Sequence, residues 1–121
     1  MALKYFFDSY AIIELEKGNP DYFKFKDEII TITVFNLAEI YWSFLNDVGK
    51  MADKLYESYK RCVVMIPDSV LKEAIKFRKN NKSKNLSYAD CIGYMYALKN
   101  NLIFLTGDKE FKDLKNVEFV K

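Results

Sequence analysis

Four acidic residues are candidates for chemistry: Glu39 in NLAEIY, within a helical run, and Asp8 in FFDSYAII, Asp90 in LSYADCIGYMYA and Asp108 in FLTGDKEF, each where the chain passes from one element to the next. A carboxylate at such a place either caps a helix or does chemistry. Asp90 follows Ser87 in a Ser-x-x-Asp box that satisfies the free amides of a first helical turn, and it suits the positive end of the helix dipole. Asp108, ahead of Lys109 and Glu110, and Asp8, ahead of a helical run, have the same local role open to them. Glu39 is different. It lies inside a segment that is apolar over most of its circumference, with no lysine four residues on, and burying a carboxylate without a partner costs several kcal/mol. Its flexible side chain could snorkel to water at a helix edge; the favoured expectation is a buried acid whose compensation comes from a site. Acids gathered within about 4 to 6 Å repel by a few kcal/mol per pair at an effective dielectric of about 20, so they take up protons or recruit a cation. The cation that suits an all-oxygen set is Mg²⁺ or Mn²⁺.

The sequence contains no histidine. Ser-His-Asp and Cys-His nucleophile systems, histidine acid/base pairs and His-ligated zinc are thereby excluded. Carboxylates, hydroxyls, lysines and a hard metal ion are what remains.

The elements that must position these acids follow from apolar periodicity and from capping and breaking residues. Strands are expected at residues 3–7, 29–32, 63–66, 102–105 and 117–120. Helices are expected at 10–15 up to Gly18, at 21–27, at 34–48 capped by Thr33, at 50–61, and at 70–78 capped by Asp68 or Ser69. A helix from Ser87 to the Asn100-Asn101 pair and a short one anchored by Phe111 and Leu114 complete the list. Strands alternating with helices imply an α/β fold with a mostly parallel sheet covered on both faces. Ligands of such sheets bind outside the carboxyl ends of the strands, where strand order reverses. Asp8 follows the first strand and Asp108 the fourth. If those strands are neighbours, both acids enter one crevice, with Asp90 and Glu39 approaching from the flanking helices.

With 121 residues, half of them hydrophobic, the chain is expected to be a single domain that folds without staples. Lys plus Arg at 19 against Asp plus Glu at 17 gives a formal charge of +2, too balanced for global charge to declare a nucleic-acid partner. Locally, Lys76, Arg78, Lys79, Lys82 and Lys84 form a basic run, expected as a solvated, mobile loop beside Asp90 that attracts a phosphate backbone. Cys62 and Cys91 have no CxxC or metal-ligand spacing and read as packed thiols of a reducing compartment. No signal-peptide pattern or membrane-length apolar run is present, so a soluble, cytoplasmic protein is expected.

The four acidic motifs, in this order and covering nearly the whole chain, resemble those of the PIN-domain nucleases, in particular the small VapC-like toxins of prokaryotic toxin-antitoxin pairs. The resemblance implies a three-layer α/β/α sandwich with a parallel sheet ordered 3-2-1-4-5, and a Mg²⁺- or Mn²⁺-dependent ribonuclease activity. It implies that Asp8, Glu39, Asp90 and Asp108 form the acidic quartet, with Asp8, Asp90 and Asp108 as direct or water-mediated metal ligands and Glu39 as a ligand or the group orienting the water. Ser9 and Thr106 match hydroxyl positions near the metal. It further implies an RNA substrate, a protein antitoxin as partner and a homodimer formed through the aromatic-rich helix at 34–48. Tyr10 departs from the pattern, standing where the family commonly has a small polar residue.

Two other classes fit parts of the sequence. A receiver-type phosphoacceptor domain has similar size and layering, with Asp68 as acceptor, but that class wants a pair of acids after the first strand and a lysine after the fifth. A non-catalytic PIN-like binding protein would keep the fold and leave the acids inert.

Overall fold

The computed structural model describes residues 4–121. Its centre is a parallel sheet of β1 (Tyr5–Phe7), β2 (Ile103–Thr106) and β3 (Val117–Phe119), in that spatial order. Phe6 lies opposite Phe104 and Phe7 opposite Leu105, while Thr106 pairs with Phe119. Because successive side chains leave a strand on opposite faces, Phe6 and Phe104 enter one core and Phe7 and Leu105 the other. All four are fully buried. Each stabilises the fold by roughly 1.5–3 kcal/mol through burial alone.

Helices α1 (Ser9–Glu16), α2 (Val34–Asp47) and α3 (Ala52–Lys60) cover the Phe7 face, and α4 (Asp68–Asn80) and α5 (Tyr88–Lys99) the Phe6 face. The three-layer α/β/α arrangement expected from the sequence is thus observed. Gly93 shows why a small residue interrupts α5: a Cβ there would stand 2.5 Å from Cε1 of Phe6. That close approach seats α5 against β1 and brings its first turn, with Asp90, to the end of the sheet.

The strand expected at 3–7 begins partly outside the described residues; the observed one is Tyr5–Phe7. Those expected at 29–32 and 63–66 do not form. What remains of them is one parallel bridge, Ile32 to Val63, with Thr31 C=O accepting from Phe7 N–H at 3.0 Å. The physical reason is crowding by neighbouring signals: Thr33 already caps α2, and Pro67, lacking an N–H, opens the way to α4. The regular sheet of the described residues is therefore three-stranded, while the Phe7–Thr31 hydrogen bond and the Ile32–Val63 bridge set the two irregular segments beside β1, on the side away from β2.

Other boundaries shift for equally local reasons. The helix expected at 21–27 is a 3₁₀ stretch, Pro20–Phe25, and the one at 50–61 is a 3₁₀ turn, Gly49–Met51, followed by α3. The last expected helix is likewise a 3₁₀ turn, Lys109–Phe111. Neither Asp68 nor Ser69 caps α4; both lie inside its first turn, which Pro67 precedes without a side-chain cap. The basic run is only partly a loop, since Lys82 and Lys84 alone lie in the turn after α4. Lys76, Arg78 and Lys79 belong to α4, where Lys76 pairs with Glu73 at 3.7 Å and the Arg78 guanidinium lies 4.1 Å from the Tyr88 ring centroid. Arg78 Nε also donates to Leu86 C=O at 3.0 Å, and Lys84 Nζ to Glu110 C=O at 3.3 Å.

Candidate active site

Asp8 leaves β1 at its carboxyl end and is 2% exposed. It does cap α1, its Oδ1 accepting from Ala11 N–H at 2.8 Å. Its other oxygen accepts from the Thr106 hydroxyl, at the carboxyl end of the neighbouring strand β2. Thr106 Oγ1 in turn accepts from Asp108 N–H at 2.9 Å, so one threonine ties the turn carrying Asp108 to Asp8. Burial pushes the Asp8 carboxyl up to about 8 despite the hydrogen bonds from Thr106 and Ala11, and the charges of Asp90 and Asp108 add to the rise.

Asp90 enters from the first turn of α5, where Ser87 caps the helix by accepting from Asp90 N–H at 3.0 Å. Burial raises this acid to about 6, with the negative charges of Glu39 and Asp108 pushing the same way and Ser87 partly opposing them. Asp108 caps the 3₁₀ turn after β2, as local reading expects, through Glu110 N–H at 2.9 Å. Capping and site roles are therefore not exclusive, because a carboxylate at the end of a strand can turn one oxygen to the next helix and keep the other for the crevice.

Glu39 overturns the expectation of a buried acid: it is exposed on α2. Its partner is Ser9, whose hydroxyl donates to Glu39 Oε1 at 2.5 Å. Ser9 Oγ accepts in turn from the Asn36 amide at 3.1 Å. Asn36 is fully buried, and its side-chain oxygen accepts from both the N–H and the hydroxyl of Thr33 at 2.9 Å, closing a capping box at the start of α2. The relay Thr33, Asn36, Ser9, Glu39 thus joins α2 to α1 and aims the glutamate.

Asp8, Glu39, Asp90 and Asp108 line one cleft of about 780 Å³, together with Ser9, Ser87, Tyr10, Ile13, Ala38 and Trp42. No lysine or arginine is among these side chains. Thr106 reaches the site through Asp8 rather than by lining the cleft, and the basic residues 76–84 are absent from it. Lys82, Arg78 and Lys84 line a separate small hollow. Asp68 is exposed at the start of α4 and takes no part, which removes the residue a phosphoacceptor reading needs.

The donor set fits a hard divalent cation: only oxygens, four of them carboxylates, with two acids pushed toward protonation by burial and by each other. Among the described residues, no three acidic or cysteine side chains are gathered tightly enough to close on one ion.

Several features of the site escape a local reading. Asn36 was within reach, since Thr33-x-x-Asn36 is a capping pattern, but its bond to Ser9 spans 27 positions. Tyr10 fits because Gly107 has no side chain; a Cβ there would lie 2.0 Å from Tyr10 Cε1. A second hollow of about 420 Å³ on the other side of Asp108 is lined by Lys109, Lys112 and Lys121. These lysines are scattered in sequence and form no run. Cys91 is buried and its thiol pushed up to about 11 by burial, as expected of a packed, unreactive cysteine.

Comparison with protein families matches residues 5–117 to the PIN domain. No curated protein sequence matches the chain. Among solved structures, a toxin-antitoxin complex from Klebsiella pneumoniae superposes with a TM-score of 0.76 at 16% identity, covering 95% of this chain and 96% of that one. The sarcin-ricin-loop-cleaving toxin VapC20 of Mycobacterium tuberculosis gives 0.75 at 14% identity and 97% coverage of both chains. A Pyrobaculum aerophilum protein, PAE2754, gives 0.66 at 19% identity, with 99% and 92% coverage.

Proposed function

The chain belongs to the PIN-domain family, and on that premise we propose that it is a Mg²⁺- or Mn²⁺-dependent endoribonuclease, the toxin of a toxin-antitoxin pair. The observation that carries this reading is that Asp8, Glu39, Asp90 and Asp108, from four separate segments, line one cleft at the carboxyl ends of β1 and β2 that no lysine or arginine side chain lines.

Asp8, Asp90 and Asp108 are the residues that would hold the ion, directly or through water, with Glu39 at the rim. When bound, a divalent ion binds a phosphate oxygen, lowers the pKa of a coordinated water and offsets charge on the leaving oxygen. The chain's own groups do the rest. The Thr106 hydroxyl and Ala11 N–H hold Asp8 in one orientation. Ser9, anchored by Asn36, holds Glu39 toward the cleft, where its second oxygen can orient a water or accept a proton from it. Lys109, Lys112 and Lys121 beside Asp108 supply positive charge for an RNA backbone. The fold neighbours support an antitoxin partner, which would guard the activity in the cytoplasm, and the bare apolar surface of α2 supports a homodimer. No helix among the described residues is long and apolar enough to cross a membrane.

The test is cleavage of mixed RNAs with Mn²⁺, with Mg²⁺ and with chelator, using wild type, Asp8→Asn and Asp90→Asn. Asparagine at 8 keeps a capping oxygen, so the fold is retained. Metal-dependent cleavage lost in both variants is expected; full activity in both would sink the site. The looseness of the acid set favours one second reading, a PIN-like binding protein without catalysis. Wild-type and Asp8→Asn chains that are equally harmless in cells and equally inert on RNA would support it.

A further inference from the structure

The cleft is lined by two chemically distinct sets of side chains, the acids Asp8, Asp90 and Asp108 and the apolar Ile13, Ala38 and Trp42. The change occurs within a single turn of two adjacent helices. On α1, Ile13 lies four residues after Ser9; on α2, Trp42 lies three residues after Glu39 and four after Ala38. Residues at these spacings are neighbours on one helix face, about 4.5 to 6 Å apart along the axis. Trp42 is 71% exposed, although a tryptophan side chain carries one of the largest burial gains available. Tyr10, itself 38% exposed, stands in the same cleft.

We propose that Trp42, backed by Ile13 and Ala38, is a stacking wall for a nucleobase next to the phosphate held at the acids, so that the strand accepted is unpaired there. The proposal rests on the nuclease reading above. A polynucleotide is the ligand that carries both required chemistries on a short tether, an anionic phosphate for the metal-bearing acids and a flat apolar ring for the apolar set. A base inside a duplex has its faces already covered by its neighbours and cannot meet an indole, whereas a splayed base in a loop or single strand can. Sequence preference then comes weakly, from stacking strength, since every base has a π-face.

Because Trp42 is the sole tryptophan of the chain, its fluorescence reports on this wall alone. The full chain carrying Asp8→Asn is titrated in Mg²⁺ with a fluorescein-labelled ten-nucleotide single-stranded RNA and with the same RNA as a duplex. The single strand is expected to quench the tryptophan and the duplex to leave it unchanged. By anisotropy, adding Trp42→Ala is expected to weaken single-strand binding about tenfold, and Trp42→Phe to keep most of it. In the otherwise wild-type chain, Trp42→Ala is expected to raise KM with little change in kcat, as loss of uniform binding does. Equal affinity of the alanine variant, or a duplex that quenches as well as the single strand, overturns the wall. So does a Trp42→Ala chain with a lower oligomeric mass and unchanged RNA affinity, which would assign this face to a second copy of the chain. Cleavage that persists unaltered in Trp42→Ala defeats the wall and leaves the nuclease standing. Quenching by single strand with no cleavage in Mn²⁺ supports the wall and defeats the nuclease.

Discussion

Helices α2 and α5 are apolar around most of their circumference, each brings one acid to the cleft, and they end up in opposite situations. Ala89, Cys91, Ile92, Gly93, Tyr94, Met95 and Ala97 of α5 are all buried. On α2 only Asn36, Leu37, Ile40 and Phe44 are buried, while Val34, Phe35, Trp42 and Leu45 are exposed. α5 is pressed between the sheet and α4, with Phe77 and Tyr94 ring centroids 5.3 Å apart. α2 is packed by α1 and by α3, and among the described residues nothing covers the side that carries Val34, Phe35, Trp42 and Leu45. The same composition thus serves as structure in one helix and as surface in the other. Apolar periodicity marks what must be covered, and only the assembled fold shows what the chain itself covers.

The contrast is sharpest at the acids. Asp90, on the buried helix, is raised to about 6 by burial, with the charges of Glu39 and Asp108 adding to it, whereas Glu39 is exposed and meets one serine. Asp90→Asn is expected to reduce metal-dependent cleavage at least about 100-fold, and Glu39→Gln, acting at the rim, about tenfold. Single-turnover rates at saturating Mn²⁺ check this. Equal losses would mean that exposure does not separate the two roles.

Stability should divide along the same line. Ile92→Ala in α5 is expected to cost about 2–5 kcal/mol in urea unfolding, and Trp42→Ala in α2 no more than about 0.5 kcal/mol. A Trp42→Ala cost near that of Ile92→Ala would show that the bare face is covered in solution.

The pH dependence follows from the raised acids. Asp8, at about 8 in the folded chain against 3.8 ordinarily, and Asp90, at about 6, bind more protons folded than unfolded. Between pH 4 and 8 the unfolded state is thus the more deprotonated, and stability falls as pH rises. The metal-free chain is expected to melt higher near pH 5 than near pH 8, and Asp8→Asn or added Mn²⁺ to flatten the difference. A chelated wild type more stable at pH 8 would contradict the burial of these carboxyls. The smallest effect concerns surface only. If the bare side of α2 joins two copies, Leu45→Lys lowers the mass seen by light scattering to that of one 14.3 kDa chain without shifting the melt by more than a degree or so.

By itself the sequence determined the things that depend on neighbours in the chain. Ser87 and Thr33 start their helices, the Asn100-Asn101 pair ends α5 with Asn101 at φ 56°, and the alternation of strand and helix yields a parallel sheet with helices on both faces. The four acids were legible because each sits at an element boundary or breaks an apolar run. Tertiary structure decided what depends on contacts across many residues. Whether 29–32 and 63–66 become strands was settled by competition from Thr33 and Pro67, not by their β-branched content. Glu39 is exposed because the face of α2 that enters the core is that of Asn36, Leu37, Ile40 and Phe44, and a helix apolar all round does not say in advance which face that is. Asn36 reaches Ser9, Thr106 reaches Asp8, and Lys109, Lys112 and Lys121 gather beside Asp108, only when strands distant in sequence lie side by side. Local propensity is encoded within a few residues, whereas a site is a meeting of side chains whose separation in sequence carries no signal of their separation in space.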